Sequence, residues 1–208
     1  KGHLEASVFG FGSNNNRLSQ ITARGKEIAA GEAVIEKGKT YRVSCERDGH
    51  RLRLWVDGEV VVDGTCDDPP VGVRHEQIGL YIHGEGAIAN VKVYTKPETL
   101  EISEEDSRRW VSHYEERFDS DSLGPDWAVT GGDFTLVPGA SGRALEGRGE
   151  LLFLRRFKGD VQLEMEVSSE DPCDLGVVLC TNEQGIRGGY FLSLGADGNY
   201  ISRMLRFG

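Results

Sequence analysis

The strongest local constraint in the sequence is the stretch "RLRLWVDGEVVVDG", which covers residues 51–64. Apolar and polar residues alternate along it with a period of two, and the alternation is interrupted at Asp57-Gly58. Such alternation places one face of a strand against a core, and an Asp-Gly pair between two such runs favours a type I′ turn. The stretch therefore predicts a β-hairpin.

The same period of two recurs along most of the chain. Examples are "YRVSCE" at residues 41–46 and "DVQLEMEV" at residues 160–167, both within stretches bounded by turn-forming residues. We count about a dozen short strands separated by turn signals, which is typical of a β-sandwich or barrel. The predicted fold class is therefore all-β, as a sandwich or a barrel.

One polar, charge-dense stretch between residues 97 and 117 breaks the pattern. Ser103 is followed by three acidic residues, which resembles a helix N-cap with an acidic first turn. We predict a short surface helix or an irregular connector over residues 103–113. No internal repeat is evident from a comparison of the two halves of the chain.

The charge and hydropathy of the chain exclude two classes of partner. The formal net charge is -10, and binding of nucleic-acid phosphates needs clustered Lys and Arg, so no nucleic acid is expected. No apolar run approaches the roughly 18 residues that a membrane-spanning helix needs, so no membrane span is expected.

The four cysteines are predicted to be free thiols. Cys45 and Cys66 fall on the outer strands of a predicted three-stranded meander. Their separation would be about 9–10 Å, which exceeds the roughly 7 Å limit for the Cα atoms of a disulfide. Cys173 and Cys180 bracket one extended run and would be still farther apart. No Cys or His spacing indicates a zinc site.

Three segments carry a resemblance to a known family. Residues 118–145, beginning "FDSDSLGPDWAVTGGDFTLVPG", resemble the opening strands of concanavalin A-like (lectin/glucanase-type) jelly-roll domains. Residues 37–63 and 78–95 resemble the closing half of those domains, especially in the laminin-G-like and 3-keto-disaccharide hydrolase-like branches. The segment "GGYFLSLGADGN" at residues 188–199 resembles the middle of the domain. The resemblance implies a jelly roll, which is a two-sheet antiparallel β-sandwich.

The order of these halves departs from the family. Residues 1–96 resemble the C-terminal half and residues 118–208 the N-terminal half, with residues 97–117 as the connector. The chain is then a circular permutant, a cut through a tandem array, or two unrelated small β domains. We predict a single domain over residues 1–208, in which "YISRMLRF" near the C-terminus pairs antiparallel with "HLEASVF" near the N-terminus.

Candidate catalytic residues lie in the strand pattern of residues 160–167. Glu164 and Glu166 share one face of the predicted strand, where two carboxylates can serve as the acid and base of a glycoside hydrolase. The E-x-D-x-x-E motif of the glucanases on this fold is missing, because position 168 is Ser168. These two residues are therefore assigned a catalytic role only if the protein is an enzyme.

Candidate ligand-binding residues follow from the predicted pairing of the two chain ends. If these strands are neighbours, they place cationic, anionic and aromatic side chains on one open sheet face. That composition suits sugars, because planar polar groups bind hydroxyls and an aromatic ring offers a stacking platform. The predicted ligand-binding residues are His3, Glu5, Tyr190, Arg203 and Arg206.

Other features allow two interpretations each. Trp55 and Trp127 are either stacking platforms or core aromatics. Residues 67–70 and Asp119 to Asp121 have carboxylates that are able to ligate Ca²⁺, and turn chemistry explains them equally well. No cofactor and no other metal is predicted. An edge strand at either terminus would allow a weak dimer, and a monomer is the other expectation.

Taken with the resemblance, these features predict a non-catalytic carbohydrate-recognition or interaction module, lectin-like, of a secreted or surface protein. The expected location is extracellular, periplasmic or at the cell surface. The first alternative is a glycoside hydrolase of the 3-keto-disaccharide hydrolase-like type that acts on the concave sheet face. The second alternative is a structural β-sandwich spacer, because a fold alone does not determine a function.

Overall fold

The computed structural model describes residues 7–12, 16–23, 26–68, 76–97, 109–140, 142–170, 175–181, 190–195 and 201–206. Within these ranges most of the backbone is extended, as the period-two patterns predict. The strands are, in chain order, β1 Ser7–Gly12, β2 Leu18–Ala23, β3 Lys26–Gly31, β4 Thr40–Asp48, β5 Arg51–Val56, β6 Glu59–Thr65, β7 Gln77–Thr95, β8 Val111–Glu116, β9 Trp127–Gly139, β10 Gly142–Phe153, β11 Val161–Ser169, β12 Leu175–Thr181, β13 Tyr190–Gly195 and β14 Ile201–Arg206.

Twelve of the described strands form one hydrogen-bonded sheet with the order β3-β2-β1-β12-β7-β11-β4-β5-β6. Strands β8 and β10 also pair with β7, and β9 pairs with β10. Strands β13 and β14 form a separate two-stranded sheet. All of these pairings are antiparallel, which agrees with the predicted class.

The 19-residue strand β7 holds the two halves of the large sheet together. On one edge its C-terminal half pairs with β11 and its N-terminal half pairs with β12. On the other edge it pairs with β10 and, farther along, with β8. Because β7 pairs with strands of both halves, the two halves belong to one continuous sheet, which folds over into two layers.

One hydrophobic core lies between these layers. It contains side chains of β1, β2, β5, β7 and β11, among them Phe9, Ile21, Leu54, Leu80 and Leu163, each no more than 1% exposed. At the ends of the sheet, β3 packs against β6 without pairing with it. The sheet therefore closes around its core, and the predicted all-β antiparallel class is confirmed.

The predicted meander is confirmed in detail. Strands β4, β5 and β6 are consecutive neighbours in the sheet. Asp57 and Gly58 have φ angles of 50° and 86°, and positive values at both central residues define a type I′ turn. Cys45 and Cys66 are both buried free thiols, as predicted. Burial raises the pKa of the Cys45 thiol, which keeps it protonated and unreactive.

The predicted pairing of the two chain ends is wrong for the described residues. One edge of β1 is taken by β2 and the other by β12, and β14 pairs with β13 instead. The prediction failed because alternation identifies a strand without identifying its neighbours. Residues 1–6 lie outside the described ranges.

The predicted helix or connector over residues 103–113 is wrong at its C-terminal end. Residues 111–113 belong to β8, where Val111 pairs with Thr95 of β7. Residues 109 and 110 form irregular backbone, and residues 103–108 lie outside the described ranges. No helix in the described part of the chain has the length and apolar character needed to cross a membrane.

Candidate functional site

Strand β11 presents its two glutamates on the face opposite the core. Burial alternates strictly along the strand, with Val161, Leu163 and Met165 buried and the intervening residues partly exposed. This outcome confirms the predicted alternation and places Glu164 and Glu166 side by side on the outer face of the sheet.

Charged neighbours surround both carboxylates because of the strand register. Lys92 of β7 stands opposite Glu164, and Arg42 of β4 stands opposite Glu166. Farther across the sheet, Glu115 of β8 stands opposite Lys92. These residues, with two more, line a surface depression of about 210 Å³ that we call the polar face: Arg42, Asn90, Lys92, Glu115, Arg117, Glu164 and Glu166.

A β-bulge in β7 shapes the middle of the polar face. Glu164 and Glu166 pair with Lys92 and Ala89, so two steps along β11 correspond to three along β7. Asn90 lies inside this bulge with a φ of 49°, in the left-handed region that Asn tolerates better than most residues. Bulges re-aim side chains next to functional sites, and this one places Asn90 among the residues that line the depression.

The polar face alternates charges of both signs. Arg117 donates to Glu115 through Nε at 2.8 Å and also approaches it through Nη2 at 2.8 Å, which fixes the position of that carboxylate. Tyr94 lies two residues beyond Lys92 on β7 and pairs with Gln162 of β11. Partial burial raises the pKa of the Tyr94 phenol, and the carboxylates of Glu164 and Glu115 raise it further.

A second depression adjoins the polar face and shares Glu166 with it. Its volume is about 230 Å³, and small residues of β7 and of the β9–β10 hairpin line much of it, including Ala87, Ala89 and Ala140. The two depressions together therefore extend from the end of β8 to the β9–β10 hairpin.

An aromatic ring lies beside the polar face at its β5 side. Trp55 is opposite Ser44 in the register, and Ser44 is opposite Glu164. The Arg53 guanidinium lies 5.5 Å from the centre of the Trp55 ring and pairs with the buried Glu46 carboxylate. Trp55 Nε1 is buried without a hydrogen-bond partner among the described residues.

Trp127 has a different role. It is 5% exposed within the core, its ring centre lies 4.7 Å from that of Phe153, and its Nε1 donates to the Tyr114 hydroxyl at 3.1 Å. Of the two interpretations, the structure supports the core aromatic, because a buried ring has no face free for a ligand.

The predicted ligand-binding residues do not join this surface through strand pairing. The backbones of Tyr190, Arg203 and Arg206 belong to the β13–β14 ribbon, where Tyr190 pairs with Arg206. Their side chains, and the whole of His3 and Glu5, lie outside the described part of the chain. Their predicted shared face depends on a β14–β1 pairing, which does not form among the described residues.

Five residues of the polar face were missed: Arg42, Asn90, Lys92, Glu115 and Arg117. Alternation in "YRVSCE" does place Arg42 on an outer face, but it does not indicate that β4 lies beside β11. The non-local pairings of β4, β7 and β8 create the site, and no local signal contains them.

One candidate calcium ligand, Asp121, has a cation as its partner. Arg143 Nη1 donates to the Ser120 carbonyl at 2.8 Å and to the Asp121 carboxylate at 3.2 Å. Asp67 and Asp68 are exposed. Among the described residues, no group of three or more His, Cys, Asp or Glu side chains is arranged to hold a metal ion.

Comparison with known proteins adds no assignment to this geometry. No protein-family model matches the chain, and no curated protein is significantly similar to it.

Proposed function

We propose that the protein is a non-catalytic carbohydrate-recognition module and that the polar face binds the sugar. The observation that carries the proposal is the depression of about 210 Å³, in which cations, carboxylates and an amide from four adjacent strands converge. The resemblance to concanavalin A-like domains points to the same ligand class. It also supports a secreted or cell-surface location.

The donors and acceptors of the polar face suit a polyhydroxylated ligand. Each sugar hydroxyl both donates and accepts a hydrogen bond, so it needs donors such as Arg42, Lys92 and Asn90 together with acceptors such as Glu164. Regular strands hold these groups in place, which reduces the entropy cost of binding. Trp55 lies beside Ser44 at the edge of the face and offers an aromatic surface there.

The second candidate is a glycoside hydrolase that uses Glu164 and Glu166. The observation that favours it is that both carboxylates lie on one outer face, about 7 Å apart at the Cβ atoms for alternate residues of a strand. A general acid needs a setting that keeps its proton, commonly an apolar pocket. Here each glutamate has a cation as its cross-strand neighbour, which suits ligand binding better than proton donation.

Glycan binding tests the first candidate. We expect the protein to bind one class of oligosaccharide on a glycan array, with calorimetry giving an affinity in the millimolar-to-micromolar range. Arg42→Met and Glu164→Gln should each weaken binding about tenfold, because each removes a charge-assisted hydrogen bond. Glu59→Gln, on the exposed part of β6, is the matched control and should leave the affinity unchanged.

Sugar release distinguishes the second candidate. If the bound glycan is cleaved and both Glu164→Gln and Glu166→Gln abolish the cleavage, the protein is a hydrolase. Binding without release supports the recognition module. Neither binding nor release across a broad array would contradict both candidates and leave the structural spacer.

A further inference from the structure

The β13–β14 hairpin repeats the β1–β2 hairpin in length and register. All four strands have six residues, and the connections 13–17 and 196–200 are equally long. The first hairpin begins with the pair Ser7 and Ala23, and the second begins with the pair Tyr190 and Arg206. The next three residue pairs follow in the same register in both hairpins. The two hairpins therefore match in length and register, although the sequence indicated no internal repeat.

The residues that shape the first hairpin recur at equivalent positions of the second. Gly12 adopts a φ of 73°, Asn16 binds the backbone N–H and C=O of Ile35 through its amide, and Ser19 Oγ donates to the Ala33 carbonyl at 2.6 Å. Their counterparts in the second hairpin have the same identities, namely Gly195, Asn199 and Ser202. The shared residues are those that have structural roles in the first hairpin.

The core positions of the first hairpin have apolar counterparts in the sequence of the second. In the first hairpin these are Phe9, Phe11 and Ile21, which are at most 1% exposed. The equivalent residues of the second hairpin are Leu192, Leu194 and Met204. The second hairpin therefore carries the residue types needed to take the same place beside a core.

That place is the edge of β12 on which β1 lies. Strand β1 pairs with β12 from Ser7 opposite Leu179 to Phe11 opposite Leu175, while the other edge of β12 pairs with β7. The β13–β14 hairpin pairs with no other described strand. An isolated two-stranded hairpin is marginally stable in water, so it gains stability from docking beside a third strand.

We propose that the β13–β14 hairpin of one chain docks on the β12 edge of a second copy of this chain. Because β12 is paired on both edges, the incoming hairpin would displace that copy's own β1–β2 hairpin and take its place, with Phe191 opposite Val178. The contact is heterologous, because a hairpin of one copy meets a strand edge of the next, so copies can join head to tail. Strand addition to a sheet edge supplies main-chain hydrogen bonds along the whole contact.

This assembly bears on the three explanations of the inverted order. In a tandem array, the β12 strand of each repeat would pair with one hairpin of this type. A chain with two such hairpins and one β12 strand therefore fits a cut through a tandem array. The proposal rests on the repeated hairpin alone, and it stands or falls independently of sugar binding.

Disulfide trapping tests the contact in the full chain with Cys173 and Cys180 replaced by Ser. One variant carries Phe191→Cys and the other carries Val178→Cys, and the two are unfolded together, refolded and oxidised. Docking raises the effective concentration of the two thiols, so we expect about tenfold more mixed disulfide dimer than in the control mixture. The control pairs Val178→Cys with Val60→Cys, which lies exposed on β6.

Two further measurements keep the test decisive. A single chain with Val8→Cys and Val178→Cys should form an internal disulfide, since these residues pair in β1 and β12. Circular dichroism checks that each variant folds, and sedimentation of the unsubstituted chain after refolding should show a concentration-dependent dimer. Equal dimer yields in the two mixtures, or a chain that stays monomeric at every concentration, would overturn the proposal.

Discussion

At the scale of single residues, Tyr94 reports on the charge state of the polar face. It pairs with Gln162, next to the row that contains Glu164 and Lys92. Partial burial raises the pKa of its phenol first, and the nearby carboxylates of Glu164 and Glu115 add to that effect. The folded protein therefore favours the protonated phenol more strongly than the unfolded chain does.

This difference predicts a pH dependence of stability. The contribution of Tyr94 is fully present below the ordinary tyrosine pKa of about 10 and is lost as the pH rises through the higher folded-state value. Tyr94→Phe should flatten this alkaline loss in chemical unfolding experiments. Glu164→Gln should lower the pKa of Tyr94, measured by NMR titration of the ring signal that Tyr94→Phe removes. An unchanged titration in Glu164→Gln would contradict the placement of the two side chains.

At the scale of elements, β7 decides how the two halves of the sheet meet and where the site lies. Its N-terminal half belongs with β12 and its C-terminal half with β11 and β8. The bulge at Asn90 falls in the C-terminal half, beside the two glutamates. A bulge disrupts the ladder locally and bends the strand, so the same residue affects both the path of β7 and the lining of the site.

Substitutions at Asn90 should separate these two effects. Asn90→Gly retains access to the left-handed conformation, so we expect a small change in stability and weaker glycan binding from the lost amide. Asn90→Val places a β-branched residue there and should lower the free energy of unfolding by about 1–3 kcal/mol. Urea unfolding measures both variants. Equal stability of Asn90→Gly and Asn90→Val would show that the backbone at this position is not left-handed.

At the scale of the whole molecule, the core is closed by close packing of β3 on β6. A Cβ atom on Gly31 would lie 1.9 Å from the Val61 carbonyl oxygen, and one on Gly64 would lie 2.6 Å from Ile28 Cγ2. Glycine is needed at both positions because the two strands approach more closely than a side chain permits. This contact joins the two ends of the twelve-stranded sheet.

Gly31→Ala should therefore force β3 away from β6 and destabilise the protein. Because the added methyl group meets backbone, which yields less than a side chain, we expect a loss of about 1–3 kcal/mol or more in thermal or urea unfolding. Gly124→Ala is the matched control, since its added Cβ would find only the Glu116 side chain, at 3.5 Å. Its free energy of unfolding should change by less than about 0.5 kcal/mol. Similar losses in the two variants would argue against a close contact between β3 and β6.

The sequence predicted those features that depend on near neighbours in the chain. The β5–β6 turn at Asp57-Gly58 and the outward direction of Glu164 and Glu166 were both predicted, because turn chemistry and strand periodicity act over a few residues. The cations opposite those glutamates were not predicted, because they come from β4 and β7. The sequence does not indicate the correspondence of the two hairpins, because only a few of their residues are identical, whereas their registers match.

The sequence by itself determined that the chain is all-β, where many of its strands lie and which face of each is apolar. These properties follow from alternation and turn residues, whose effects are local. Only the tertiary structure decided that β1 lies beside β12 and that β7 joins both halves of the sheet. It also decided that six residues from four strands, together with Arg117 just after β8, form the polar face. Strand edges offer similar backbone hydrogen bonds to any partner, so the choice among partners rests on how all the side chains fill one core.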